Sequence, residues 1–308
     1  MAHFAGPWGK GIRISTALAC GAVLIGLAGC GSGDSGTITR VSRQNNSGTY
    51  VYFREAVLGK EREYKLGSID QSGSKDVVEL VSKTPSAIGY SGMGYATDGV
   101  KMLKVCRTKG ETPVAPSVEN AQDGSYPLAR PLQIYMLGEP TGAVKAYLAW
   151  IHSDEGQQVV AEIGYVPIDV VPIPEAEQEE ADKATEEVVI RVSGSDTMVN
   201  LAQAWAEKYH EKHSNVSVQV SGGGSGVGIA ALINGTTDLA DASRKMKPKE
   251  KETAKEKHGG KEVNEFIVAL DALGVYVHKD NPINSICLEE LAEIYGEGGK
   301  ITQWSQLS

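Results

Sequence analysis

The chain predicts an α/β fold, because short apolar runs of strand type alternate with amphipathic helical stretches, joined by turns rich in glycine and hydroxyl residues. Length and composition agree. With 308 residues, 41% apolar and 22% charged, there is material for two domains of ordinary size. The 36 glycines imply many turns made by the backbone itself.

The first 29 residues read as an export signal. Lys10 and Arg13 supply a basic start, an apolar run follows over 14–26, and Leu27-Ala-Gly-Cys30 reads as a bacterial lipobox. Ser15, Gly21 and Gly26 make that run too short and too interrupted for a membrane span. Cleavage before Cys30 and acylation of that residue would give a stable lipid anchor. Residues 30–36 then form a flexible tether. The expected location is the periplasm or the outer face of the cell membrane.

Residues 37–41 predict a strand and 50–58 a helix. A turn-rich loop over 67–74 leads to a helix over 75–82, with Val77, Val78, Leu80 and Val81 as its apolar residues. Ala87-Ile-Gly-Tyr90 and residues 131–137 read as buried strands. Val144, Tyr147, Leu148 and Ile151 mark one face of a helix over 142–151. Residues 168–187 are heavily acidic with no apolar period, the composition of a solvated linker. A new core begins with a strand at 188–192. Met198, Leu201, Ala202, Trp205 and Tyr209 follow at helical spacing, then a strand at 216–220 and a helix over 227–233. More strand lies within 266–277, and 288–295 is a helix.

Three loops share one design, glycine and hydroxyl residues after a strand, and a fourth candidate places Ser243 and Arg244 after a short strand. In Arg43-Gln-Asn-Asn-Ser-Gly-Thr49, Ser47 or Thr49 can cap the following helix, Gly48 lets backbone approach a ligand, and Arg43 offers a planar fork for two oxygens. The other two are residues 193–197 and 221–226, and the fourth candidate is 238–244. A helix start with unpaired N–H groups favours an anion. Open α/β sheets bind ligands beyond the carboxyl ends of their strands, so these loops can face one another.

Other chemistries fare poorly. No loop carries the lysine of a P-loop or the Gly-x-Gly-x-x-Gly dinucleotide fingerprint. The six histidines are scattered, and His210 and His213 suit a helix C-terminus better than a metal. A net charge of −9 argues against nucleic acid or an acidic membrane surface as partner. Without a base, metal or cofactor, hydroxyls and amides around an anion imply binding and not turnover.

Val-Ser-Gly-Ser-Asp-Thr-Met198, Ser-Gly-Gly-Gly-Ser-Gly-Val227, Asp-Leu-Ala-Asp-Ala-Ser-Arg244 and the Arg43–Thr49 loop together resemble the loops of periplasmic phosphate-binding proteins of ABC transporters. Leu270-Asp-Ala-Leu-Gly-Val-Tyr276, Ile294-Tyr-Gly296 and Ile301-Thr-Gln-Trp304 extend the resemblance. It implies a two-lobed clamshell of the type II periplasmic-binding-protein fold, a monomer, closing on inorganic phosphate and docking on ABC permease subunits of the membrane. The phosphate contacts it implies are Arg43, as the only cation there, Ser47, Gly48, Thr49, Thr197, the Met198 backbone N–H, Ser225 and Ser243. Ser243 stands where many relatives have an aspartate to accept the proton of hydrogen phosphate, with Asp241 two residues earlier on the same side of the strand. Another tetrahedral oxyanion, sulfate or arsenate, is the alternative ligand, and a phosphatase using the same pocket is the catalytic one.

Relative to that family the loops occur in a different order, which implies a circular permutation with residues 168–187 joining the parental ends. The resemblance then places 93–167 and 188–272 in lobe I, and 37–92 and 273–308 in lobe II. Cys106 and Cys287 fall in different lobes on that division, where a bridge would fasten the clamshell. Free thiols are therefore expected.

Overall fold

The computed structural model describes residues 36–59, 61–169 and 187–307. The signal, Cys30 and almost all of the acidic linker lie outside them.

The first strand, β1 (Thr39–Arg43), pairs in parallel with β2 (Ile69–Gln71) and with β3 (Ala87–Gly92). Between β1 and β2 run the short helix α1 (Gly48–Phe53) and a π-helical turn, Arg54–Leu58. β2 falls inside the loop expected over 67–74. It is a mostly exposed edge strand, so it has no apolar alternation for a sequence pattern to show. Helix α2 (Ser74–Lys83) starts where the Asp76 carboxylate accepts the Gly73 N–H at 2.9 Å, and it buries Val77, Val78 and Val81 against the sheet.

Two short strands follow, β4 (Val100–Met102) and β5 (Lys104–Cys106), then α3 (Val118–Gln122) and the strand β6 (Ala129–Leu137). Helices α4 (Gly142–Ile151) and α5 (Asp154–Glu162) lead to β7 (Val188–Gly194), α6 (Val199–Lys212), β8 (Val216–Ser221), α7 (Ser225–Ile233) and β9 (Leu239–Ala242). After α8 (Pro248–Lys257) comes β10 (Val263–His278), a single 16-residue strand. β11 (Ser285–Cys287), α9 (Leu288–Tyr295) and a 3-10 turn, Trp304–Gln306, follow.

β10 holds the two halves together. Its first part, Val263 to Ala272, pairs with β6, while Leu273 to Val277 pairs with β3. One sheet is therefore β10-β6-β9-β7-β8 and the other β2-β1-β3-β10, with β4 also on β10. Each half has its own core. Leu132, Ile134, Leu148, Ile151 and Trp205 are buried in one (lobe I), and Phe53, Tyr90, Val275, Leu291 and Tyr295 in the other (lobe II). Phe53 and Tyr90 stack at 3.8 Å between centroids, and the Tyr90 hydroxyl meets that of Ser42 at 2.7 Å.

Among the described residues, the main chain passes between the lobes near Ala129 and near Ala272. These lie side by side, since Ala272 is the ladder partner of Ala129 and the Leu273 N–H donates to the Leu128 carbonyl at 3.0 Å. This moves the first boundary from its expected place at 92/93. Leu103, Val105, Ala121, Tyr126 and Leu128 pack into the core of lobe II, because β4 pairs with β10 and β5 with β11.

The same correction overturns the free thiols. Cys106 and Cys287 are register partners in the β5–β11 ladder, their Cα atoms are 4.4 Å apart, and they form a disulfide. The bridge joins two strands of one lobe, so it leaves the clamshell free to open.

Candidate functional site

At the end of β1 the chain turns through residues 44–47 into α1. Ser47 is the N-cap, its hydroxyl accepting the Thr49 N–H at 3.2 Å. Arg43 is fully buried beneath this turn. It donates to the Gln71 carbonyl (3.3 Å), the Ser74 hydroxyl (2.9 Å) and the Ser72 carbonyl (2.7 Å), and its Nη2 also meets Asp196 Oδ2 at 3.0 Å. Asp196 belongs to lobe I, so this ion pair crosses the cleft. Burial lowers the Arg43 pKa, with Arg130 adding to the effect and Asp196 opposing it.

Three loops of lobe I face this turn. In the first, after β7, the Ser195 N–H donates to the Asp241 carbonyl and the Thr197 hydroxyl meets the Thr49 hydroxyl at 2.8 Å across the cleft. Asp196 Oδ1 accepts the Gly223 N–H at 2.8 Å, tying the first loop to the second. The Tyr95 and Tyr165 hydroxyls donate to the Asp196 and Thr197 carbonyls, which holds this loop from behind.

The second loop ends at Ser225, the first residue of α7. Gly224 has φ +95°, and a Cβ there would come within 2.9 Å of the Asn46 carbonyl. Close approach of this loop to the Arg43–Thr49 turn thus requires glycine. Asn46 fastens the two, its side chain donating to the Gly223 carbonyl at 2.8 Å and its carbonyl accepting the Gly226 N–H at 2.9 Å.

The third loop carries Ser243, whose N–H donates to the Ser225 hydroxyl at 3.0 Å and whose Oγ accepts from Ser195 Oγ at 2.9 Å. Gly48 closes the ring of contacts. A Cβ on it would stand 2.3 Å from Ser225 Oγ and 2.6 Å from Ser243 Oγ, so no larger residue fits there with the lobes together.

Arg43, Ser47, Gly48, Thr49, Thr197, Ser225 and Ser243 are thus brought together and buried at the lobe interface. The Met198 N–H is engaged in a turn to the Ser195 carbonyl at 2.8 Å, so an anion would have to share it. Asp241 does not join the cluster. Its side chain is buried with Leu239 on the lobe I core side, Oδ1 has no hydrogen-bond partner among the described residues, and burial pushes its carboxyl up to about 8.

Arg43 is not the sole cation. Arg130, 2% exposed, donates through Nη2 to the Thr49 and Thr197 hydroxyls at 3.0 and 3.4 Å, and through Nη1 to the Ser243 carbonyl at 3.1 Å. Its Nε and Nη2 grip Asp271 Oδ2 at 3.0 and 2.8 Å. Arg130 and Asp271 are ladder partners one residue from each interlobe crossing. The hinge ion pair therefore touches the hydroxyls of both lobes. The available signal was a charged residue heading a strand of otherwise buried character, Ala129-Arg-Pro-Leu132.

Two buried guanidinium groups, each neutralised by a carboxylate, and a ring of hydroxyls between hinged lobes make a site for a small polar ligand, most favourably an oxyanion. Fold and site together define a two-lobed solute-binding protein. The model of the PBP superfamily domain matches residues 27–155 and 175–308. Phosphate-binding protein PstS 2 of Streptococcus agalactiae serotype V is 33% identical over 296 residues, covering 92% of this chain and 93% of that protein. Its namesake from Streptococcus pneumoniae serotype 4 is 29% identical over 311 residues, covering 96% and 98%. The crystal structure of a phosphate ABC transporter phosphate-binding protein from Streptococcus pneumoniae TIGR4 superposes with a TM-score of 0.64 and 26% identity, over 88% of this chain and 100% of that one. The chain belongs to the PstS phosphate-binding proteins of this superfamily.

Proposed function

We propose that this chain binds inorganic phosphate between its lobes and delivers it to ABC permease subunits, anchored outside the cytoplasm through Cys30. The observation that carries the reading is the convergence of Arg43, Arg130 and the hydroxyls of Ser47, Thr49, Thr197, Ser225 and Ser243 at one interlobe point. Hydroxyls can both donate and accept, so they suit a ligand with both ionised and protonated oxygens. The guanidinium groups supply fixed positive charge, which their paired carboxylates leave only partly exposed to the ligand.

Binding and closure are linked through Arg130. Phosphate drawing on its Nη2 also draws on Thr49 of lobe II, Thr197 of lobe I and Asp271 at the hinge. A ligand that contacts both lobes favours the arrangement in which they meet. Charge-assisted hydrogen bonds contribute about 1.5–3 kcal/mol each, so a few reach the roughly −8 kcal/mol of micromolar affinity after desolvation.

The test is a calorimetric titration of the purified chain with phosphate, sulfate and arsenate. Saturable binding of phosphate, with sulfate weaker by tenfold or more, supports the reading. Heat from sulfate equal to that from phosphate would move the assignment to oxyanions at large.

We also read the loop order as a circular permutation with residues 168–187 bridging the parental ends. What supports it is the meeting of the first and last described segments. The Trp304 N–H donates to the Gly36 carbonyl and the Ile38 N–H to the Thr302 carbonyl, both at 2.8 Å. A short loop there would restore the order of the resembled family.

A further inference from the structure

The lobes also meet beside the anion cluster, through a residue that takes no part in it. Asn46 stands in the turn between β1 and α1 of lobe II, facing the glycine loop of lobe I that leads into α7. Its side chain donates to the Gly223 carbonyl at 2.8 Å, and its own carbonyl accepts the Gly226 N–H at 2.9 Å. Both bonds cross the cleft, so separation of the lobes at these loops breaks them. Asn46 is half-buried and Gly223 exposed, whereas the neighbouring Ser47 and Ser225 are buried, which puts this contact at the rim of the closed cleft.

Both partners are held by other bonds. The Ser47 N–H donates to the Gln44 carbonyl at 3.0 Å, which sets the turn that carries Asn46. The Gly223 N–H donates to Asp196 Oδ1 at 2.8 Å, and the other oxygen of that carboxylate meets Arg43, three residues before Asn46. Arg43, Asp196, Gly223 and Asn46 therefore close a ring that crosses the cleft twice, once by an ion pair and once by a neutral amide. The amide crossing needs no anion to form its bonds, so it favours the closed arrangement by itself.

We propose that Asn46 is the latch of the clamshell, a positioning residue that holds the closed lobes together and so sets how long phosphate stays bound. The proposal rests on the phosphate reading above. Phosphate enters while the lobes are apart, when neither bond exists, so capture is indifferent to the Asn46 side chain. Release requires the lobes to part and both bonds to break. A side-chain hydrogen bond of ordinary net strength changes such a balance roughly 2- to 12-fold. Asn46→Ala removes the donor and leaves the backbone bond. Asn46→Asp keeps the shape but turns a carboxylate oxygen toward the Gly223 carbonyl, two acceptors with no proton between them, and should act more strongly.

The test follows release of radiolabelled phosphate from the full chain into an unlabelled chase, with Kd from calorimetry and the association rate from their ratio. Gln44→Ala, at an exposed position of the same turn, is the control. Asn46→Ala should release phosphate at least about threefold faster, Asn46→Asp faster still, and both should capture it within about twofold of the parent. The control should match the parent in both rates. Release quickened by less than threefold in both Asn46 variants overturns the latch while leaving the phosphate reading intact. Slower capture together with a lower phosphate-free melt would make Asn46 part of the scaffold and also overturn it. A parent that does not bind phosphate overturns the latch and the phosphate reading together.

Discussion

Replacing Arg43 by methionine separates the anion clamp from the scaffold that holds it. The side chain gives four donor contacts in the structure, to Gln71, Ser72, Ser74 and Asp196. Two of these go to carbonyls of the turn before α2, so the folded state loses local support. The Asp196 carboxylate keeps the Gly223 N–H at 2.8 Å, and its side chain is 19% exposed, so it can hydrate when the ion pair is lost. The stability loss should therefore stay near about 1–3 kcal/mol, below the 3–5 kcal/mol typical of a fully buried pair broken on one side.

Phosphate affinity should fall further. An arginine fork shared with an anion contributes about 1.5–3 kcal/mol for each charge-assisted bond, and loss of one such bond alone weakens binding roughly 10- to 150-fold. Arg43→Lys keeps the charge without the fork and should lie between parent and Arg43→Met. The assay is calorimetry with phosphate at one ionic strength, beside thermal melts without phosphate to show that the variants are folded. A Kd for Arg43→Met within threefold of the parent would refute the assignment of Arg43 to the clamp.

Other expectations follow from the same geometry. Gly48→Ala should weaken phosphate binding at least tenfold by placing a methyl against Ser225 Oγ and Ser243 Oγ, while a melt without phosphate stays near the parent, because alanine suits a helix start with ordinary φ; unchanged affinity would show that the lobes need not meet there. Intact protein should have a mass two hydrogens below the dithiol form, and Cys106→Ser with Cys287→Ser should lower stability by about 5 kcal/mol, given a sequence separation of 181. Because the bridge lies within one lobe, phosphate affinity of that double variant should stay within twofold, as calorimetry will check. Asp241, with its carboxyl pushed up to about 8, is protonated when folded and ionised when unfolded between about pH 4 and pH 8. The folded state then holds more protons, so this group removes stability as pH rises, by up to about 1.4 kcal/mol per unit, and Asp241→Asn should abolish that slope in denaturant melts. Finally, a reordered chain that starts at Glu187, joins Leu307 to Thr37 through a short loop and ends at Asp169 should fold and bind phosphate within twofold of the parent; failure to fold would count against the permutation.

Where local sequence and local structure share a cause, the sequence was readable. Helices over 142–151 and 288–295 carry a clear apolar face, and the structure has them with those bounds. Glycine and hydroxyl loops after strands marked the segments 43–49, 193–197 and 221–226, because capping and close backbone approach need small polar types, and the family resemblance singled out Thr197, Ser225 and Ser243. Helix α8 was not legible. Its sequence, Pro-Lys-Glu-Lys-Glu-Thr-Ala-Lys-Glu-Lys, buries only Ala254, so no apolar period exists to detect. The paired strands β5 and β11 are three residues each, too short to show alternation.

Arg130 shows the other limit. Its value comes from partners 81, 67, 141 and 113 residues away in the chain: Thr49, Thr197, Asp271 and Ser243. No local pattern encodes such a set, since it arises where two crossing strands bring distant segments into register.

By itself the sequence determined the α/β class, the anion-seeking character of its loops and the residue types at their tips, because propensity, capping and steric permission act within a few residues. Tertiary structure alone decided which residues share a lobe, that Cys106 meets Cys287, and that Arg43 and Arg130 each enter the site already paired with a carboxylate. Those outcomes depend on strand pairing and on burial, which couple residues by distance in space and not by distance along the chain.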